Sequence, residues 1–421
     1  MSASTLDVPT TTRRSFGNAV GLTCRACGAR QELGPFYACI ECFGPLEVRY
    51  DFPTITREQI EAGPKSIWRY QPLLPVPADI AAIPNTDPGF TRLVKADNLA
   101  RELGIKTLWV KDDSGNPTHS FKDRVVAVAL SAARELGKTV LACPSTGNLA
   151  NAVAAAAARA GIRSVVFIPE NLERPKVITT AVYGGTLVAV RGNYDDVNKL
   201  ASEIAGEEED WAFVNVNVRP YYAEGSKTLA YETAEQLGWR LPEQVVIPVA
   251  SGSQLTKVDK GFTELGELGL VEPTPYRIFG AQATGCSPVA QAFRDGHDVV
   301  RPVKPDTIAK SLAIGNPADG PYVLDTCRRT GGAVEDVSDD EVRDGIQLLA
   351  RTEGIFAETA GGVTIATLKK LLETGQLDPD AETVVFNTGD GLKTLDAVAD
   401  RVGPAATIDP SYPDFVAADL A

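Results

Sequence analysis

The sequence predicts an α/β protein built on parallel sheets, and three observations carry that expectation. From about Lys138 to Val249, short β-branched runs bounded by Gly, Pro or Asn alternate with helix-period segments. Strands and helices in that alternation build right-handed βαβ crossovers, which cover a parallel sheet on both faces. The chain is 421 residues long with 44% hydrophobic residues, enough at ~150 residues per domain for two or three domains with sizeable cores. A small cysteine-bearing stretch near the start stands apart from the alternation, with little helical periodicity of its own.

Taken in order, residues 1–20 read as a tail, because they hold no apolar run of the length an export signal needs. Residues 21–50 read as a loop-rich zinc-ribbon-like module. Residues 51–110 are expected to begin as an extended connector, since 51–90 is too rich in proline for regular elements, and to lead into the large domain. Residues 111–240 hold a lysine loop and a small α/β domain, with strands at Thr139–Cys143, Ser164–Ile168, Thr186–Val190 and Trp211–Val216. Its helices are expected at Leu149–Ala160, Arg174–Tyr183, Asp195–Ala205 and Ser226–Leu237. Residues 241–405 are expected to form the large α/β domain. Its elements are strand Val245–Val249, helix Gln254–Leu268, an irregular stretch 299–321, helices near Asp339–Thr352 and Gly362–Thr374, strand Thr383–Asn387 and helix Leu392–Val402. Residues 406–421 read as a second tail.

Charge narrows the function classes. Forty-one Lys and Arg against 55 Asp and Glu leave a net charge of −14, which repels phosphate backbones and gives no footprint for nucleic acid or an anionic membrane. The apolar runs Val125–Leu130 and Ala152–Ala158 fall far short of the ~20 residues a bilayer span requires. The expected partner is a small molecule and the expected setting the cytoplasm, where seven cysteines, an odd number, stay reduced.

Four of those cysteines form two knuckles, Cys24-x-x-Cys27 and Cys39-x-x-Cys42. Each knuckle can aim two thiolates at one tetrahedral zinc, and a module too small for its own core gains folding energy from the metal. Four thiolates leave no open position, so the role is structural. The alternative is a ribbon that has lost its metal and keeps buried thiols. Only two histidines, His119 and His297, occur in the chain, which disfavours His-based metal sites and triads. Acid–base work then falls to a lysine or a cofactor.

Ser120-Phe121-Lys122-Asp123-Arg124 precedes the apolar helical run Val125–Ala133, placing Lys122 near a helix N-terminus that favours the free amine. Alone, such a junction reads better as a capping turn with a solvated lysine. Pro144-Ser145-Thr146-Gly147-Asn148 follows a strand and opens a helix, making a cradle suited to a carboxylate. Pro248 to Gln254 repeats the pattern, and the small residues Ala250, Ser251, Gly252 and Ser253 with Gln254 suit a phosphate. Asn387-Thr388-Gly389-Asp390-Gly391-Leu392-Lys393 adds a polar turn after the last strand. A lysine with two anion cradles describes a pyridoxal phosphate enzyme better than a dinucleotide binder.

These residues resemble the threonine synthase family, of the tryptophan-synthase-β-like class of pyridoxal phosphate enzymes. The resemblance rests on Asn-Pro-Thr-x-Ser-Phe-Lys-Asp-Arg at 116–124, Ser-Thr-Gly-Asn at 145–148, Glu-Gly-Ser-Lys-Thr at 224–228 and Thr-Gly-x-Gly-Leu-Lys at 388–393. It implies two open parallel-sheet domains, a homodimer, and conversion of O-phosphohomoserine and water to threonine and phosphate. It implies that Lys122 condenses with the aldehyde of pyridoxal 5′-phosphate and then moves protons on the substrate. By the same resemblance Asn148 lies at the cofactor's phenolic oxygen and Thr388 at its ring nitrogen, while Ser145, Thr146 and Asn148 receive the substrate carboxylate. Lys176 and Arg219, each on a loop side of an expected strand, are candidates for the substrate phosphate. This chain departs from the family pattern at His119, where Gly is usual, at Ser251-Gly252-Ser253, at Asp390 for His, and at Arg219-Pro220-Tyr221-Tyr222. The alternatives are a cysteate synthase-like or threonine/serine dehydratase-like lyase and, from another class, a cofactor-binding sensor without turnover.

Overall fold

In the computed structural model, residues 15–419 are described, apart from Asn85 and Asn193. Most of the tail expected at 1–20 therefore lies outside the described residues. Among the described residues, thirteen strands form three sheets. The first is antiparallel and belongs to the cysteine module, with β1 (Ala19–Cys24) flanked by β2 (Arg30–Gln31) and β3 (Leu46–Tyr50).

The large sheet uses β4 (Arg92–Lys95), β5 (Leu108–Asp112), β10 (Gln244–Pro248), β11 (Arg277–Ala283), β12 (Val334–Val337) and β13 (Thr383–Asn387), in the order β12-β11-β10-β13-β5-β4. All pairs are parallel except β4 with β5. The small sheet is wholly parallel, with β6 (Val140–Pro144), β7 (Arg163–Pro169), β8 (Thr186–Val190) and β9 (Trp211–Phe213) in the order β8-β7-β6-β9. Every residue of β6, β10 and β13 is buried, as expected where helices cover both faces, and this is why these strands read as apolar runs without alternation.

Several expectations need correcting. The helix expected at Ser226–Leu237 is Lys227–Gln236, and it packs in the core of the large sheet, where Leu229, Ala230 and Ala234 join Val245, Ile247 and Val258. The strand β5 belongs to the large sheet as well, so the small domain does not begin at 111 or reach 240. The connector is less extended than its prolines suggest. It forms a short helix, Arg57–Glu61, and a 3-10 turn, Ile67–Leu73, that buries Ile67, Trp68 and Tyr70. No helix spans Leu392–Val402, where two 3-10 turns, Gly391–Lys393 and Leu395–Ala397, follow the Asp390 cap instead. The C-terminal tail carries an exposed helix, Tyr412–Ala417.

The cysteine module shares a core with the small domain, since Leu22, Leu46 and Val48 cluster with Val125, Leu130 and Tyr221. It also reaches the large domain. Glu47 pairs with Lys257, and the Val48 carbonyl accepts from Lys260 Nζ at 2.9 Å, both lysines lying on the helix Ser253–Glu267.

Candidate active site

Three neighbouring strands of the large sheet deliver three of the expected groups to one edge. β10 leads into the loop Ala250–Gln254, its partner β13 leads into Thr388, and β5, paired with β13, leads through Asp113 toward Lys122. The carboxyl ends of parallel strands are where ligands of such sheets bind. β6 of the small sheet adds Ser145, Thr146 and Asn148.

The loops are stitched to one another. Phe121 N donates to the Thr388 carbonyl at 2.9 Å, Asp390 N donates to the His119 carbonyl at 3.1 Å, and Ser120 bridges Gly389. His119 takes φ +62°, the left-handed conformation for which glycine is ordinarily chosen, and its Nδ1 stands 3.8 Å from Asp390 Oδ2. The two residues that depart from the family pattern thus face each other.

Lys122 opens the helix Lys122–Glu135. Its Nζ donates to the Tyr222 hydroxyl at 3.1 Å and lies 4.5 Å from the centre of the Phe121 ring. Asn148 and Thr388 converge on one carboxylate that sequence reasoning did not single out. Asn148 Nδ2 donates to Glu358 Oε2 at 2.9 Å, and Thr388 Oγ1 donates to Glu358 Oε1 at 3.3 Å. Burial pushes the Glu358 carboxyl above the usual carboxylate range, even though Asn148, Lys393 and Thr388 oppose the shift. Lys393 is held below the ordinary lysine range by its own burial, with Glu358, Asp123 and Asp390 working the other way.

Neither helix start uses a side-chain cap. Gly147 precedes Asn148–Ala160 and Gly252 precedes Ser253–Glu267, each without a capping hydrogen bond, which leaves main-chain N–H groups open for an anion. Gly252 lies at φ +97°, and a Cβ there would stand 2.6 Å from Val323 Cγ2, so the loop is tight as well as small. The buried Gln254 Nε2 has no protein partner. A tight loop with open N–H groups and an orphaned buried donor fits a phosphate group, and the residues present therefore suit pyridoxal phosphate.

Beside this loop, Arg219 Nη2 donates to Asp319 Oδ2 at 2.7 Å, and Asp319 N donates to the Ser251 carbonyl at 2.9 Å. Arg25, between the first two cysteines, lies 3.9 Å from Asp319 and 3.8 Å from the centre of the Tyr322 ring. Arg25, Arg219, Ser253 and Lys257 line one small cleft. Lys176 stands apart from this group, paired with Glu173 at 3.1 Å on the helix Arg174–Ala181.

The four expected metal ligands do come together. The sulfurs of Cys24, Cys27, Cys39 and Cys42 lie within 4.8 Å of one another, with Cys24 to Cys42 at 3.5 Å and Cys27 to Cys39 at 3.8 Å. Zn–S bonds of about 2.3 Å in a tetrahedron place sulfurs about 3.8 Å apart. The N–H groups of Ala26, Glu41 and Gly44 donate to these sulfurs at 3.4 Å, which is how a knuckle stabilises thiolate charge.

Tyr222, Glu358, Asp319 and Arg25 are the site residues that sequence reasoning missed. For Tyr222 the signal was in view, since it closes the Arg219-Pro220-Tyr221-Tyr222 segment that departs from the family pattern.

The chain is similar to known proteins over most of its length. A family model described as pyridoxal-phosphate dependent enzyme matches residues 85–389. The chain is 38% identical over 380 residues to a threonine synthase of Methanocaldococcus jannaschii, spanning 89% of this chain and 93% of that one. It is 36% identical over 395 residues to a threonine synthase of Methanosarcina acetivorans, covering 92% and 96%. Among solved structures, diaminopropionate ammonia lyase from Escherichia coli aligns with a TM-score of 0.63 at 21% identity, covering 82% of this chain and 92% of that chain. Threonine deaminase isoform 2 from Solanum lycopersicum aligns at 0.62 and 21%, covering 75% and 88%, and at such identities the likeness is one of fold.

Proposed function

This chain belongs to the threonine synthase family of pyridoxal phosphate-dependent enzymes, and we infer that its site converts O-phosphohomoserine and water to L-threonine and phosphate with Lys122 as the reacting amine. The observation that carries the assignment of roles is the convergence of Asn148 and Thr388, 240 positions apart, on Glu358 beside the lysine loop. When bound, the cofactor supplies an electron sink for the charge left on carbon as a C–H bond breaks.

The chain's own residues do the rest. Main-chain N–H groups of Ala250, Ser251, Gly252, Ser253 and Gln254 hold the cofactor phosphate, Asn148 meets its phenolic oxygen and Thr388 its ring nitrogen. A threonine hydroxyl, unlike a carboxylate, leaves the ring nitrogen largely unprotonated. Ser145, Thr146 and Asn148 take the substrate carboxylate at the open helix start. Arg219 is the stronger of the two candidates for the substrate phosphate, because it lines the cleft beside Ser253 and Lys176 does not. The module carries one structural zinc on Cys24, Cys27, Cys39 and Cys42, supported by the sulfur spacing.

The reading includes a cytoplasmic setting, supported by the buried free thiols of Cys143, Cys286 and Cys327, and a homodimer, which sedimentation will check. No helix among the described residues is long and apolar enough to cross a membrane. The deciding assay is phosphate release from O-phosphohomoserine against phosphoserine, with Lys122→Ala as control. Release from the first, together with loss of turnover and of the visible chromophore in the variant, is the expected result. Release only from phosphoserine would replace the substrate, and an active Lys122→Ala would remove the role given to that lysine.

A further inference from the structure

We propose that Tyr222 is a further catalytic residue, whose hydroxyl carries a proton from Lys122 to the departing phosphate oxygen. The proposal rests on the reading of the site as one that expels phosphate from O-phosphohomoserine. Its first support is the contact itself, Tyr222 Oη lying 3.1 Å from Lys122 Nζ. A hydroxyl both accepts and donates, so it can receive one proton while passing on another.

The contact is built into the packing of two helices. Gly225 ends the short helix Arg219–Glu224, and a Cβ on it would stand 2.6 Å from Val125 Cα and 2.7 Å from the Arg124 carbonyl oxygen. The backbones therefore touch at Gly225 and Val125. Tyr222 lies three residues before the one and Lys122 three before the other, so each side chain sits about one turn from the crossing. The same spacing puts Arg219 one turn before Tyr222 on the same face of its helix. One helix face thus carries the partner of the reacting amine and, one turn earlier, the cation of the phosphate cleft.

The chemistry needs a relay at this place. A phosphate monoester dianion that leaves without a proton becomes a trianion, so its bridging oxygen requires an acid. The Lys122 amine takes a proton from the carbon next to the one bearing that oxygen, and the electron pair of the C–H bond forms the new C=C bond. The C–O bond breaks with its pair on oxygen. The Tyr222 hydroxyl proton passes to that oxygen, and the Lys122 ammonium returns a proton to Tyr222. Phosphate leaves as the monoprotonated dianion, and both side chains end as they began.

Tyr222→Phe keeps the ring and removes the hydroxyl. In the full chain without cofactor, acetic anhydride should label Lys122 faster in the variant at one mildly alkaline pH, because Nζ loses the hydroxyl it is hydrogen-bonded to. In the holoenzyme, phosphate release should fall by about 100-fold or more, the range for general acid–base catalysis, with KM within about twofold. Deuterium uptake from D2O into recovered substrate should continue, since Lys122 still removes the carbon-bound proton. Unchanged labelling, unchanged phosphate release, or an equal loss of release and of exchange would each overturn the relay. A wild-type enzyme that releases phosphate beside an unaffected variant sinks the relay alone, whereas a wild type that releases none from O-phosphohomoserine sinks the substrate reading and the relay together.

Discussion

The Arg124 guanidinium and the Glu232 carboxylate meet as a bidentate pair with neither side chain open to solvent, Nη2 standing 2.8 Å from Oε2. Asp113 accepts from the other side of the guanidinium at 2.7 and 2.8 Å, and Lys111 Nζ donates to Glu232 at 2.8 Å. The cluster ties the lysine helix to β5 and to the helix Lys227–Gln236, and so joins the small domain to the large one. Arg124→Met leaves two buried carboxylates short of a partner, and denaturant melts should show a loss of about 3–5 kcal/mol. A loss below ~1 kcal/mol would mean that water reaches the cluster.

Gly225→Ala tests the helix crossing. The added methyl meets backbone on the lysine helix and cannot be accommodated by a rotamer change. Overpacking of this kind costs about 1–3 kcal/mol, and a displaced Tyr222 should lower kcat more than the melting temperature alone explains. A variant with normal stability and kcat would show that the two helices separate freely.

Chelation tests the cysteine module. Metal analysis should find one zinc per chain, and Cys39→Ser should reduce it. Removing the metal frees β1 to β3, whose Glu47 pairs with Lys257 on the helix that starts at the phosphate loop. Both the melting temperature and activity should fall. Full activity in a zinc-free chain would reduce the module to an appendage.

Much of this site was legible because its parts are local. A strand, a few small residues and a helix start place Asn148 and Gly252, and the Cys-x-x-Cys spacing gathers four sulfurs, without knowledge of the whole chain. What stayed hidden is what the tertiary fold juxtaposes. Glu358 sits outside any motif, in a segment that reads as an ordinary helix start, and only the return of β13 beside β5 brings it to Asn148 and Thr388. The edge strand β4 and the short 3-10 turns were missed for another reason. They are half-buried or too brief for periodicity to register, as the burial pattern of Arg92–Lys95 shows.

Thr146→Ala separates a capping role from a binding one. The helix Asn148–Ala160 has no side-chain cap, so the melting temperature should change by no more than a surface substitution gives, about 0.5 kcal/mol. If the hydroxyl receives the substrate carboxylate, KM rises or kcat falls by roughly the 1.5–3 kcal/mol of a charged hydrogen bond. A stability loss with unchanged kinetics would return Thr146 to a structural role.

Glu358→Gln addresses the carboxylate between Asn148 and Thr388. Burial raises the folded-state pKa of Glu358 above the ordinary value of about 4.3 for an unfolded chain. Over the pH interval between those two values the folded chain binds the proton and the unfolded chain does not. Unfolding there releases a proton, so stability decreases as pH rises through the window, and above it the folded state retains a penalty for a buried charge. Glutamine is uncharged throughout and can still accept from Asn148 or Thr388. In the chain without cofactor, Glu358→Gln should therefore melt higher than the wild type at pH 8, and the difference should shrink as pH is lowered toward 4.3, where the unfolded glutamate also becomes protonated. Melting curves at several pH values in one buffer series measure this directly. If the variant instead melts lower at pH 8, the carboxylate is a net stabilising acceptor for Asn148 and Thr388, and its pKa is not raised by burial.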